Sequence, residues 1–303
     1  MSHNRCNLQT QVIYDFSFAD LSVKYLETGD AEFLQKISEL EAAEHLFNHA
    51  LSYNNNIPAK SKAELTAYLL SPLEEQKKRL PDFKRNLAFA RKSIADTDFA
   101  GKVVSQFLPK DFAFSSRIFF TFGYDIGVAY GNNCSLNLAH PIFRNNMNEI
   151  KYYTVHELHH TGFIALKGGY MPSFKISARG EMAHIIEYLT HMEGMGTYAP
   201  FAAREKDNAL NTNGDYIALQ DSNMMVELEK EYFDIYLHFK NNPGKLLTED
   251  DWCKINILSD AKRLWYRVGS NMARAIDIKL GRDKLTGIIS EPSENFIAAY
   301  LGL

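Results

Sequence analysis

Apolar positions recur with a helical period through the first hundred residues of the chain. They fall at Phe33, Leu34, Ile37, Leu40, Leu46 and Phe47. Spacings of three and four residues place such side chains on one face of a helix. Ser61 and Glu64 have the spacing of a capping box, which marks a helix start. We therefore predict a helical N-terminal subdomain over residues 1–110.

The pattern changes near Phe112. Short segments rich in β-branched and aromatic residues follow, and they read FAFSSRIFFTFG, YDIGVAYG and SLNLAH. Gly123, Gly131 and the Asn132-Asn133 pair interrupt them. Such segments separated by turn residues are typical of strands and hairpins. The sequence thus predicts a small β-sheet with at least one hairpin.

Helical patterns then return and continue to the end of the chain. Residues 147–166 predict a helix that stops at Gly168-Gly169, and a second helix is expected from about Ala178 to about Ala203. A later apolar stripe comprises Leu264, Val268, Met272, Ala275 and Ile276. We expect an α+β fold that is mostly helical, with the small sheet packed beside helix 147–166. Residues 111–303 are predicted to form a second domain, and the alternative is one continuous domain over both parts.

Composition and charge narrow the function classes. The 303 residues are 46% apolar and 23% charged, as in ordinary globular proteins, and a net charge of −4 argues against a nucleic-acid partner. The most apolar stretch contains Arg117 and Asp125, so no membrane span is predicted. Three scattered cysteines, Cys6, Cys134 and Cys253, and a start without signal-peptide features lead us to expect a cytoplasmic protein. Nothing in the sequence fixes its oligomeric state.

The chemistry is concentrated in the HExxH motif formed by His156, Glu157 and His160. Residues four apart project from the same face of a helix, so both imidazoles can bind one metal ion. Zinc in such a site lowers the pKa of a bound water, and Glu157 is placed to act as general base. We predict one Zn²⁺ ion here. His159 points away from this face and is expected to pack or to support the ligands.

A catalytic zinc ion usually has three protein ligands, so one more is needed. The metzincin pattern would place a glycine at Phe163 and a histidine at Leu166, and it fails at both positions. The third ligand must then come from the second helix, where the candidates are Glu181, His184, Glu187, His191 and Glu193. We prefer Glu193, because Gly194 and Gly196 would let two helices approach closely around a metal. Glu181 and Glu187 remain alternatives, whereas His184 and His191 are expected to orient ligands.

These segments resemble a known family. TVHELHH followed by a helix with Glu193-Gly194 and Tyr198 is similar to the gluzincins, zinc peptidases whose third ligand is a glutamate. FFTFGYDIGVAYGNNCSLNL and WYRVGSNMARAIDIKLGRDKL extend the likeness to bacterial proteins described as zinc-dependent peptidases, over about residues 110–300. The resemblance implies a zincin-like catalytic domain. It also implies His156, His160 and Glu193 as zinc ligands and Glu157 as base.

Amide hydrolysis also needs a group that stabilises the developing oxyanion. Tyr266 is our first candidate, since its helix carries the apolar stripe expected near the site; the alternatives are Tyr198, His191 and Arg267. The strand region 123–130 is expected to hold an extended peptide through main-chain hydrogen bonds.

The function expected from these features is a zinc-dependent metallopeptidase that acts on peptides or small proteins. Three other functions stay open. The first is a zinc amidohydrolase for a non-peptide amide, and the second is a non-catalytic binding protein on a zincin scaffold. The third is a non-haem iron protein, since two histidines and a carboxylate also form a facial triad.

Overall fold

The computed structural model describes residues 10–53 and 57–303, so Cys6 lies outside the described part of the chain. Helices dominate it, and a four-stranded sheet accompanies them, which confirms the predicted α+β class. Contacts divide the chain into two compact units. The first contains the residues up to Ser105 and Asp111–Gly162, and the second contains Gln106–Lys110 and Phe163–Leu303. The predicted boundary at residue 110 stays a prediction.

The first unit combines the sheet with the N-terminal helices. Its strands are β1 (Gln11–Asp15), β2 (Ser115–Thr121), β3 (Gly127–Tyr130) and β4 (Asn133–Asn137). Its helices are α1 (Ser17–Thr28), α2 (Ala31–Glu39), α3 (Glu41–Tyr53), α4 (Lys62–Leu69), α5 (Leu73–Lys77), α6 (Leu80–Ala90) and α7 (Phe99–Val104), with a π-helical turn at Arg91–Ala95 and a 3₁₀ turn at Pro141–Phe143. Helix α8 (Asn148–Leu166) carries the HExxH motif and starts one residue after the predicted position.

The strand order of the sheet is β1-β2-β4-β3. β1 and β4 are both parallel to β2, whereas β3 is antiparallel to β4. β3 and β4 form the predicted hairpin, whose tight turn includes Gly131 with a φ of 59°. β3 is therefore an edge strand of the sheet. β1 is an addition to the prediction, which assigned only helices to this part of the chain.

Helix α8 packs against this sheet, as predicted. The Thr161 hydroxyl lies 3.2 Å from the Ser116 hydroxyl of β2, and Glu157 lies against Gly127 of β3. Helix α3 contacts β3 and β4, and its His45 ring meets the rings of Phe119 on β2 and Tyr130 on β3. Helices from two parts of the chain thus contact the edge strand.

The regular elements of the second unit are all helices or helical turns among its described residues. It contains α9 (Arg179–Tyr198), α10 (Phe201–Lys206), α11 (Gly214–Gln220), α12 (Ser222–Lys240), α13 (Glu249–Asn256), α14 (Leu264–Leu280), α15 (Arg282–Ile288) and α16 (Glu294–Leu301), with a 3₁₀ turn at Leu210–Thr212 and a π-helical turn at Ile257–Ala261. Helix α9 ends before the predicted Ala203 because Pro200 cannot donate a backbone hydrogen bond. No helix of the described chain is long and apolar enough to span a lipid bilayer.

Helices α9 and α14 pack unusually closely. A Cβ atom built on Gly194 would lie 2.4 Å from the carbonyl carbon of Gly269, and one built on Gly269 would lie 2.4 Å from the carbonyl oxygen of Thr190. Only glycine lets two helix backbones touch in this way. Gly194, the residue after Glu193, thus lets α9 and α14 approach closely. That such an approach surrounds a metal stays a prediction.

Candidate metal centre

The two motif histidines lie one turn apart on α8, as their spacing predicts. Their ring centroids are 4.3 Å apart with an interplanar angle of 74°. His160 is buried and His156 is partly exposed. The Tyr153 ring lies 6.5 Å from that of His156 on its N-terminal side. The pair is therefore held by a 19-residue helix rather than by a loop.

Glu157 is packed against the edge strand. Its side chain is only 7% exposed. A Cβ atom at Gly127 would lie 2.6 Å from Cγ and 2.7 Å from Oε1 of Glu157, so the carboxylate occupies the space that a side chain would take. Sequence reasoning did not single out Gly127, although a glycine inside a strand pattern often marks a close approach of this kind.

Cys134 of β4 lies in the electrostatic field of the same carboxylate. Burial raises the pKa of its thiol well above the usual value, and the charge of Glu157 raises it further. A thiolate is the form that binds metal or attacks a carbonyl. Cys134 therefore stays a neutral thiol beside the motif, and the metal chemistry is left to other residues.

One group of three potential ligands occurs among the described residues. His156, His160 and Glu193 each offer one ligand atom, and these atoms all lie within 4.8 Å of one another. Two imidazoles and a carboxylate form a usual donor set for catalytic zinc, and they leave a fourth position open for water or substrate. The side chains present thus fit a zinc ion.

The two alternative acids of α9 are engaged elsewhere. Glu181 caps the start of the helix, since its Oε2 accepts hydrogen bonds from the backbone nitrogens of Ser177 and Ala178 at 3.0 and 2.9 Å. Glu187 is buried, and its Oε1 accepts from the Tyr236 hydroxyl at 2.7 Å and from Lys240 Nζ at 2.6 Å. Both carboxylates have structural partners within the second unit.

The two further histidines of α9 have different surroundings. His184 is exposed, and its Nδ1 lies 3.1 Å from Oε2 of Glu187. His191 is fully buried, where it stacks on Phe296 at 4.4 Å and meets the edge of Phe163 at 4.8 Å. His191 is therefore packed among aromatic rings, and His184 supports a structural acid. Their expected role in orienting zinc ligands stays a prediction.

Tyr266 lies in the first turn of α14. The Arg263 guanidinium covers its ring at 3.7 Å, and Arg263 itself has a φ of 53°. Such a left-handed conformation is unusual for a residue other than glycine and is concentrated at functional sites. Gly269 follows Tyr266 by one turn and contacts Gly194, so the packing of the two glycines fixes the position of this helix against α9.

The alternatives to Tyr266 have defined partners. The Tyr198 hydroxyl donates to Asp277 at 2.7 Å, and burial together with this bond raises the pKa of Tyr198. Arg267 Nε donates to the buried Asp215 at 2.9 Å, and Asp215 also binds Arg263. Tyr198 and Arg267 thus take part in ion-pair networks of the second unit.

Comparison with known proteins agrees with these features. A family model described as Putative zinc dependent peptidase (DUF5700) matches residues 29–302. No curated protein and no solved structure matches the chain. The family match confirms the resemblance to zinc-dependent peptidases and extends it into the N-terminal helices.

Proposed function

The chain belongs to the family described as Putative zinc dependent peptidase, and from this premise we propose that it is a zinc metallopeptidase that hydrolyses peptide bonds. His156, His160 and Glu193 would hold one zinc ion. The proposal depends above all on the grouping of their ligand atoms within 4.8 Å. The usual donor set of catalytic zinc has the same composition.

Glu157 is the proposed general base. Zinc bound beside it would polarise the substrate carbonyl and make a water molecule more acidic. The Glu157 carboxylate takes a proton from the attacking water and delivers it to the nitrogen of the leaving amine. Its burial and its contact with Gly127 support this role, because they hold the carboxylate in one position.

The edge strand β3 is the proposed binding surface for the peptide. β4 pairs with one side of β3, and no strand among the described residues pairs with the other. The open N–H and C=O groups can add an extended peptide as a further strand. Because Glu157 lies against the first residue of β3, a peptide bound there passes directly beside the base.

Tyr266 is the proposed donor to the developing oxyanion. Two observations support it: the close contact of α14 with α9 through Gly194 and Gly269, and the cation that covers the tyrosine ring. A phenol donor at such a position contributes mainly in the transition state. Tyr266→Phe is therefore expected to lower kcat and to leave KM and zinc content unchanged.

The test compares wild type with Glu157→Gln and with the matched control Glu181→Gln. Elemental analysis should find one zinc per chain in all three proteins. A peptide-library digest should show cleavage by wild type and Glu181→Gln, and loss of cleavage in Glu157→Gln. The control changes an acid that caps a helix, so it removes a charge of the same kind away from the motif.

Each of the other functions predicts a different result. Hydrolysis of small amides alone would identify an amidohydrolase. Bound zinc without any Glu157-dependent hydrolysis would identify a binding protein, and stoichiometric iron with oxygen consumption would identify a non-haem iron protein.

A further inference from the structure

A cleft of about 760 Å³ opens within the first unit, next to the start of the edge strand. Gly123 and Tyr124, which precede β3, line one part of the cleft wall. Other parts of the wall are lined by Tyr68, Arg79 and His140. The metal-centre residues do not line it. A peptide that pairs along β3 and continues past Gly127 would reach this cleft.

Among the described residues that line the cleft, Arg79 is the one arginine, lysine or acidic side chain. Its guanidinium donates from Nη1 to the Gln76 side-chain oxygen at 2.9 Å and from Nη2 to the Ala139 carbonyl at 2.5 Å. It also lies 4.9 Å from the Phe122 ring. All of these partners are neutral, and no carboxylate of the described chain forms an ion pair with Arg79.

The neighbouring arginines differ in this respect. Arg85 lies on α6, which begins directly after Arg79, and it pairs with Asp82 at 3.0 Å. Arg144 pairs with the same acid at 3.0 Å. Burial lowers the pKa of His140, and the charge of Asp125, on the loop before β3, offsets part of that effect. Asp125 forms no ion pair with Arg79 in the described part of the chain. Burial and the nearby charge of Arg144 lower the pKa of Arg79. Arg79 is thus a half-buried cation without the counter-charge that its neighbours have.

A buried charge is costly unless an opposite charge compensates it. Arginine has five N–H donors in a planar fork that matches a carboxylate, and Arg79 uses two of them for the bonds described above. Tyr68 and Tyr124 give the cleft an aromatic lining that suits the apolar stem of an amino acid. The cleft therefore complements a small anionic group on an apolar stem.

We propose that this cleft binds a carboxylate of the peptide substrate and that Arg79 is the residue that selects it. The inference rests on the proposed peptidase function and adds a substrate class to it, namely peptides with a carboxylate a few residues from the cleaved bond. That carboxylate is either an acidic side chain or the C-terminus of the peptide.

Equilibrium binding to full-length Glu157→Gln protein tests the proposal without requiring catalysis. The probes are fluorescent peptides that carry one glutamate at successive positions, each matched by a glutamine version, and versions that end in a free acid or an amide. One carboxylate should improve affinity by at least about tenfold, as expected for a charge-assisted hydrogen bond. The position series identifies a side-chain carboxylate, and the acid–amide pair identifies a C-terminal one.

Two variants assign the effect to Arg79. In the same background, Arg79→Met should abolish the preference for the carboxylate, whereas Arg85→Met should retain it because the Arg85 charge is already paired. Gln76→Glu provides an independent variant if Arg79→Met is unstable, since it would place a carboxylate where Arg79 now binds a neutral oxygen. It should abolish the preference without lowering Tm. A preference that survives both Arg79→Met and Gln76→Glu, or no preference at all, would overturn the proposal.

The two proposals fail in different ways. Peptide cleavage by wild type without a carboxylate preference would leave the peptidase in place and remove this subsite. A preference that depends on Arg79, found in a protein that cleaves no peptide, would leave an anion-binding cleft and remove the peptidase.

Discussion

The two units encode their functional residues in different ways. In the first unit, one helix turn of α8 sets the positions of His156, Glu157 and His160, so the spacing alone predicts their arrangement. In the second unit, α9 carries three acids with different surroundings, and other helices determine which of them is engaged. Local spacing therefore specifies the pair of proposed histidine ligands, whereas tertiary contacts determine which of the dispersed carboxylates is left to join them.

The largest expected effect is on zinc affinity, and it distinguishes the proposed zinc-binding acid of α9 from the other two. His160→Ala and Glu193→Ala should each weaken zinc affinity by more than about a hundredfold, since changes to residues that merely support ligands already cost 10–100-fold. Glu181→Gln should leave the affinity unchanged. Glu187→Gln should lower Tm and not zinc affinity, because it breaks the buried contacts with Tyr236 and Lys240. Competition with a chelating dye measures each affinity, and equal loss in all four variants would refute the assignment.

Acid should destabilise the first unit before the second. Burial lowers the pKa of His45 to about 4, so below the ordinary value near 6.5 the unfolded chain takes up a proton that the folded chain does not. The unfolding free energy should therefore fall by about 3 kcal/mol between pH 6.5 and 4. Hydrogen exchange at pH 7 and 5 should show lost protection around α3 and β3, and His45→Phe should reduce this loss.

The second unit provides the contrast in pH dependence. Its buried Asp251 is desolvated, but hydrogen bonds with His238, Arg179 and Thr248 outweigh that effect and lower its pKa. A lowered acid pKa stabilises the fold above the ordinary value near 4 and loses that contribution only as the pH falls further. Protection in α9 and α13 should thus persist at pH 5. Equal loss of protection in both units would contradict this comparison.

A smaller effect is expected where the edge strand meets Glu157, the proposed base. Gly127→Ala adds a methyl group where Glu157 now lies, and a displacement of about 1 Å of a catalytic group costs about a hundredfold in rate. We expect kcat to fall by that factor while zinc content stays at one per chain. Gly287→Ala serves as a control, because a Cβ there meets no atom within 4 Å. Unchanged kcat in Gly127→Ala would argue against Glu157 as the base.

The smallest effect should come from the contact of α9 with α14. Gly194→Ala forces apart two helix backbones that touch, and overpacking of this kind costs about 1–3 kcal/mol. Chemical denaturation should report this loss. A variant as stable as wild type would mean that the two helices can separate without cost.

Local signals explain what the sequence predicted well. The bounds of α8, the β3–β4 hairpin and the helix start at Ser61 depend on residues that are close in the chain, and all three are confirmed. β1 was missed because its partner β2 lies about a hundred residues away, so five residues alone gave too weak a pattern. The structural role of Glu187 and the uncompensated charge of Arg79 were missed because both depend on residues of other elements.

The short length of β3 has a consequence for the substrates that the proposed peptide-binding surface can accept. A strand of four residues spans about 13 Å, so a target protein needs to present only a short extended segment to pair with it. Frayed termini and flexible loops meet that demand, whereas an intact helix does not. The same short length of β3 disfavours edge-to-edge pairing of the β3 strands of two copies of the chain.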